Sequence, residues 1–188
     1  MPFKVKMITP DQIKRIMRSD SKEGKIKILE LTCECKDSAI LNIVISALDD
    51  RDVQVRGEAF SALVLNENDI SDILMQNLNS QNKNLRGFSL LVLANRNDRM
   101  AIPKIIDLTS DESAMVRACA VGALGYLKAV EAIHVIQKCM EDSNLEVKKS
   151  AIKAAIDIGD QTAFEKLDEI SKDDPEIRNL FDYAKSKL

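Results

Sequence analysis

Asp111-Glu-Ser-Ala-Met-Val-Arg-Ala-Cys-Ala-Val-Gly-Ala-Leu-Gly125 reads as a turn, a cap, a short helix and a glycine stop. Take Arg117 as the reference. Cations recur at Arg56, Arg86, Lys148 and Arg178, with successive spacings of 30, 31, 31 and 30 residues. The residue before each is aliphatic: Val55, Leu85, Val116, Val147 and Ile177. Three residues after come Ala59, Ser89, Ala120, Ala151 and Phe181; seven after come Leu63, Leu93, Leu124, Ala155 and Lys185. These offsets draw one apolar stripe on a helix. Small residues in mid-stripe let a neighbouring helix approach closely.

A second column agrees on the register. Four residues before the reference stand Asp52, Asn82, Ser113, Asn144 and Asp174, all able to accept a hydrogen bond from an orphan helix N–H. Pro175 follows Asp174 at the first helical position. Six before stand Asp50, Ser80, Asp111 and Asp142, closing a preceding helix. Those preceding helices are expected near 38–49, 69–79, 100–110, 129–141 and 161–171, with Pro103 in a first turn or at a kink. Asn66, Asn95, Gly125 and Gly159 are expected as left-handed stops. The first unit is worn. Thr9-Pro-Asp-Gln12 has capping-box spacing, and the second helix is expected to use Ile26, Leu29 and Cys33, with Ile26 in the reference column. The last unit drifts to polar residues, as the ends of a stack must.

Composition agrees. The chain has 188 residues, 45% apolar and 30% charged, with six glycines, four prolines and no Trp, so aliphatic helix packing is expected. The expected fold class is all-α. Six helical hairpins form one repeat domain over 1–188, in units of roughly 9–35, 38–66, 69–96, 98–126, 129–158 and 161–188. Net charge is −3, so no global basic field exists to hold a polyanion. Residues 1–30 nevertheless carry eight Lys/Arg against four acids. No run approaches the ~18 apolar residues of a membrane span. The N-terminus lacks the apolar core of a signal peptide, and four cysteines are expected as reduced thiols in a cytoplasmic protein.

The pattern Asp-x-x-x-x-Val-Arg-x-x-Ala-x-x-Ala-Leu-Gly resembles the HEAT-like repeat, in the short form first noted in phycobilisome lyase subunits. Arg117 through Gly125 carries it most closely, then Val55–Leu63 and Val147–Ala155. The resemblance implies a right-handed α-solenoid, an ARM/HEAT-like alpha-alpha superhelix, with the Val-Arg helices lining its concave face. It also implies that the repeated cations Arg56, Arg86, Arg117, Lys148 and Arg178 form a structural ladder by bonding loop aspartates of their own or an adjacent unit. One and five residues after each reference, side chains are then expected in the groove: Gly57/Ser61, Gly87/Leu91, Ala118/Gly122, Lys149/Lys153 and Asn179/Tyr183. That is a small, nearly uncharged floor running into a Lys-bearing end. It suits a docked helix or extended segment of acidic character, and equally a tightly curved stack whose crowded inner helices need small residues.

Chemistry is sparse. Family members that hold two irons use His-Glu pairs, whereas this chain has one histidine, His134, read as structural or surface. Cys33-Glu-Cys35 lacks a second cluster, and Cys119 and Cys139 stand apart, so buried small hydrophobes are the plainer reading. No nucleophile–base pair, phosphate loop or carboxylate dyad is recognisable. No catalytic residue, metal or cofactor is therefore assigned. The base-excision branch uses aromatic residues and a basic groove, which the sequence does not offer. The expected role is a non-enzymatic scaffold or adaptor binding a protein partner in the groove. The alternatives are an accessory subunit of a lyase-like complex, or a nucleic-acid binder through Lys14, Arg15, Arg18, Lys22, Lys25 and Lys27.

Overall fold

Helix starts follow the capping side chains. The computed structural model describes residues 9–160, 177–179 and 182. Thr9 opens α1 (Pro10–Met17) with a reciprocal capping box to Gln12. Ser21 caps α2 (Lys22–Glu30), Asp37 caps α3 (Ser38–Ser46) and Asp52 caps α4 (Val53–Leu65). Next come α5 (Ser71–Asn77) and α6 (Lys83–Asn95), where Asn82 Oδ1 accepts from Asn84 N and Leu85 N. Then follow α7 (Ile102–Leu108), α8 (Ala114–Tyr126), α9 (Ile133–Cys139) and α10 (Leu145–Ile158), the last capped by Asn144. Ser113 stands in the cap column of α8 but makes no capping bond. The described residues contain no strand.

The first helices of the hairpins are shorter than their apolar runs suggest. Three end or begin in 3-10 turns: Ala47–Asp49 after α3, Arg99–Ala101 before α7 and Val130–Ala132 before α9. Pro103 falls in the first turn of α7, where it displaces no helical hydrogen bond. The helix stops need correction. Gly159 is left-handed, with φ of 81°. Asn66 is extended, and Asn95 remains helical while Asn97 takes the positive φ. Gly125 lies inside α8, and the left-handed residue after that helix is Lys128.

The chain divides into two compact units, Met1–Val92 and Leu93–Leu188. Within the first, α1 packs on α3 and α3 on α5, while α2 packs on α4. Within the second, α7 packs on α8, α9 on α10, and α8 on α10 most extensively. In the first unit, first helices thus pack on first helices and α2 on α4; in the second, the second helices α8 and α10 pack on each other. The core is the predicted stripe. Val55, Val116 and Val147 are fully buried, as are Ala59, Ala120, Ala151, Leu63, Leu124 and Ala155; Leu85 is half-buried. A fully buried Val or Leu contributes about 1.5–3 kcal/mol relative to exposure.

The first hairpin corrects the expected register. Ile28, Leu29 and Lys25 are buried in α2, whereas Ile26 and Cys33 are half-buried. Of the expected last hairpin, 161–188, Ile177 is buried and Arg178, Asn179 and Asp182 are exposed. Asp174, Pro175, Phe181, Tyr183 and Lys185 lie outside the described residues.

Candidate partner-binding faces and the cation ladder

The repeated cation first closes its own loop. Arg56 Nη1 donates to Asp50 O at 2.8 Å and Arg51 O at 3.3 Å. Arg86 Nη1 donates to Ser80 O at 2.8 Å and Gln81 O at 3.1 Å. Arg117 Nη1 donates to Asp111 O at 2.9 Å and Glu112 O at 3.3 Å. The acceptors are backbone carbonyls five and six residues upstream, rather than the carboxylate of the same loop. A long side chain here satisfies loop carbonyls that no helix bonds.

The other guanidinium edge of Arg117 reaches the next loop. Nε and Nη2 bond both oxygens of Asp142 at 2.8 and 2.9 Å, with each side chain less than a fifth exposed. Hydrogen bonding to Arg117 holds the Asp142 carboxyl below the ordinary carboxylate range, and the same bond raises the guanidinium of Arg117. In the first hairpin Lys25 Nζ takes this place, bonding Asp50 Oδ2 at 2.7 Å, with Lys25 buried and Asp50 half-buried. Burial pushes Asp50 upward, but the bonds from Lys25 and from Asp52 N outweigh it and the carboxyl is lowered. So Lys25, not Ile26, is the reference cation of the first hairpin. Two sequence signals pointed there: Ser21 four residues before it, and the 25-residue offset to Asp50 that Arg117 keeps to Asp142. Lys148 lies near Asp142 and adds to its lowering.

The proposed floor positions separate by unit. On α4, Gly57 and Ser61 are exposed. On α6, Gly87 is buried and Leu91 half-buried, so Gly87 offers no surface. On α8, Gly122 is exposed and Ala118 half-buried; on α10, Lys153 is exposed and Lys149 half-buried. Lys149 is partly neutralised by Glu146, at 2.9 Å one helical turn away. A β-carbon placed on Gly57 or Gly122 would meet no atom within 4 Å. Gly125, on the same helix as Gly122, is different: its β-carbon would stand 2.6 Å from Ala154 Cα. Gly125 is therefore not the stop that its place in the sequence suggests, because nothing local distinguishes a stop from a close helix crossing.

Beside Gly57 on α4, Glu58 is raised by burial first and then by the like charge of Glu30. The first-unit face therefore carries acid, while the α10 face carries lysine. Two of the amino-terminal cations are engaged, Lys25 by Asp50 and Lys22 by Asp52, while Lys27 is exposed on α2, a different helix from Lys14 and Arg15. Lys14 and Arg18 rim a cleft of about 500 Å³ with Asn42 and Ser46.

Groups that would do chemistry are scattered. His134 is exposed on α9. All four cysteines are free thiols. Burial raises both Cys119 and Cys139, and Cys139 is buried against Thr109 O. Among the described residues no three His, Cys, Asp or Glu side chains are grouped to hold a metal ion. No helix among them is long and apolar enough to cross a membrane.

Repeated helical hairpins with capped second helices and a cation bonding successive loops define an α-solenoid repeat protein. The family model for HEAT repeats matches residues 71–133 and 120–180, together more than half of the chain, and the chain belongs to that family. Among solved structures it is similar to a chain in the complex of CpcE and CpcF of phycocyanin lyase from Nostoc sp. PCC7120. Identity there is 21%, coverage is 79% of this chain and 99% of that one, and the TM-score is 0.69. It is similar to a designed armadillo repeat protein in complex with the peptide (KR)4, at 17% identity, covering 94% and 98%, TM-score 0.54. It is also similar to an archaeal HEAT-like repeats protein from Thermococcus onnurineus NA1, at 15% identity, covering 93% and 78%, TM-score 0.51. No curated protein matches the sequence. At these identities the solved structures speak for the fold.

Proposed function

We propose that the chain is a non-enzymatic scaffold that binds a segment of a partner protein on the second-helix faces of its repeats. The observation that carries this is the pair Gly57 and Gly122. A glycine inside a helix costs about 1 kcal/mol relative to alanine. Close packing is the usual reason to keep one, and it explains Gly125. It does not explain Gly57 or Gly122, where the space above the backbone is empty. The open backbone is left for something outside the chain. In the second unit, Ala118 and Gly122 give a flat floor beside Lys149 and Lys153, which fits an acidic helix or extended segment. In the first unit, Gly57 and Ser61 offer the same relief beside Glu58.

Photo-crosslinking tests the reading. A crosslinking residue at 122 or 57 is expected to join a defined peptide of a partner in extract from the protein's own cells, and one at Asn42 on α3 is not. Equal crosslinking from all three positions, or none from 57 and 122, removes the proposal. Lys153→Glu is expected to weaken capture on the second unit without changing the unfolding midpoint.

A second reading, an accessory subunit of a lyase-like complex, is favoured by the similarity to a chain of the CpcE–CpcF complex. Co-purification with an enzymatic chain in fixed stoichiometry would select it. Nucleic acid is the less favoured partner, since Lys22 and Lys25 are already paired with aspartates. Absence of binding to DNA or RNA at low salt is the expected result.

A further inference from the structure

Four of the described hairpin loops hold a side-chain oxygen six residues before the reference cation. Asp50 Oδ1 accepts from Asp52 N at 2.9 Å, Asp111 Oδ1 from Ser113 N at 2.8 Å and Asp142 Oδ1 from Asn144 N at 2.8 Å. In the hairpin of α5 and α6 the residue is Ser80, whose Oγ accepts from Asn82 N at 3.2 Å. Asp50 and Asp142 each also receive the cation of the preceding hairpin, Lys25 and Arg117. The corresponding cation before Ser80 is Arg56. Its Nη1 is fixed on loop carbonyls as in Arg117, but the edge that Arg117 lays on Asp142 meets no carboxylate from Arg56 among the described residues. One rung of the ladder has its cation and its turn, and lacks only the anion.

We propose that Ser80 is a phosphorylation site and that Arg56 receives the phosphate. The loop lies between the end of α5 at Asn77 and the start of α6 at Lys83, and Ser80 is flanked by exposed Asn79 and Gln81. A kinase using a nucleoside triphosphate would join Ser80 Oγ to the γ-phosphorus. The bond to the diphosphate leaving group breaks, and the hydroxyl proton passes to the kinase's base. The product carries close to two negative charges and three acceptor oxygens, which suit the paired Nε and Nη2 donors of an arginine. Asp49, on the same rim, is already held by Asn82 Nδ2 at 2.5 Å and Asn84 Nδ2 at 2.6 Å, so its charge is partly satisfied. Phosphorylation would then bond the α3–α4 hairpin to the α5–α6 hairpin as Asp142 bonds its neighbour to Arg117.

The test is thermal unfolding of the full chain with phosphoserine installed at position 80 during translation, with and without Arg56→Gln. The expected result is a rise in Tm of roughly 2–4 °C that disappears in the Arg56→Gln background. No rise, a fall, or a rise that survives Arg56→Gln overturns the proposal. Millimolar inorganic phosphate added to the unmodified chain should give no Arg56-dependent shift. If it does, the rung takes free anions and the assignment to Ser80 fails. Phosphopeptide mapping of the chain from its own cells should show the modified Ser80, and a residue found unmodified in every growth condition refutes it.

Discussion

Gly125 of α8 lies against the backbone of Ala154 in α10: a β-carbon on Gly125 would stand 2.6 Å from Ala154 Cα and 2.7 Å from its Cβ. Contacts that close do not occur between real atoms, so the helices would have to separate. Their interface is the most extensive in the second unit. Gly125→Ala is therefore expected to lower stability by about 1–3 kcal/mol, as overpacking does. Gly122→Ala, one turn earlier and open above, is expected to raise it by about 0.5–1 kcal/mol through helix propensity and a less flexible unfolded chain. Urea midpoints of the two variants should move in opposite directions. A gain in both would mean that the helices relax freely.

The pair of Arg117 and Asp142 predicts an acid limb. Because the folded carboxyl of Asp142 is lowered, the unfolded chain binds its proton first as pH falls. The contribution is complete above the unfolded carboxylate range, near pH 4, and is lost as pH drops through the lower folded value. Asp50 works in the same direction through Lys25. Asp142→Asn keeps an acceptor for Asn144 N but removes the charge. It should cost about 1–3 kcal/mol at pH 7 and progressively less below pH 4. Denaturation midpoints measured from pH 2 to 7 would reveal it, and a variant deficit independent of pH would contradict it.

Two residues in the same cap column should behave differently. Asn144 Oδ1 accepts from Glu146 N at 3.0 Å and Val147 N at 3.4 Å, while Ser113 makes no capping bond. Asn144→Ala is expected to cost about 1 kcal/mol and Ser113→Ala only a few tenths. Equal losses in equilibrium unfolding would show that Ser113 caps α8 after all.

Ser89 stands in the column where three other hairpins place Ala59, Ala120 and Ala151. It is fully buried, and its hydroxyl has no hydrogen-bond partner among the described residues. Ser89→Ala removes an unsatisfied polar atom and keeps the volume nearly constant. A stability gain of up to about 1 kcal/mol is expected. A loss would point to a buried partner for the hydroxyl.

The sequence by itself determined which residues face inward. Val55, Val116 and Val147, with the small residues three positions on, recur at helical spacing, and only burial against a neighbouring hairpin rewards that spacing. The cap column fixed most helix starts for an equally local reason, because a side chain two or three residues away satisfies the orphan N–H groups. The tertiary structure decided what depends on a second segment. Whether Gly125 ends a helix or admits another is set by Ala154, twenty-nine residues away. That Lys25 rather than Ile26 carries the first rung is set by Asp50, because an aliphatic stripe can be read one residue out of step while an ion pair cannot. Gly57 and Gly87 each stand one residue after their reference cation, and only packing made Gly87 buried and left Gly57 open.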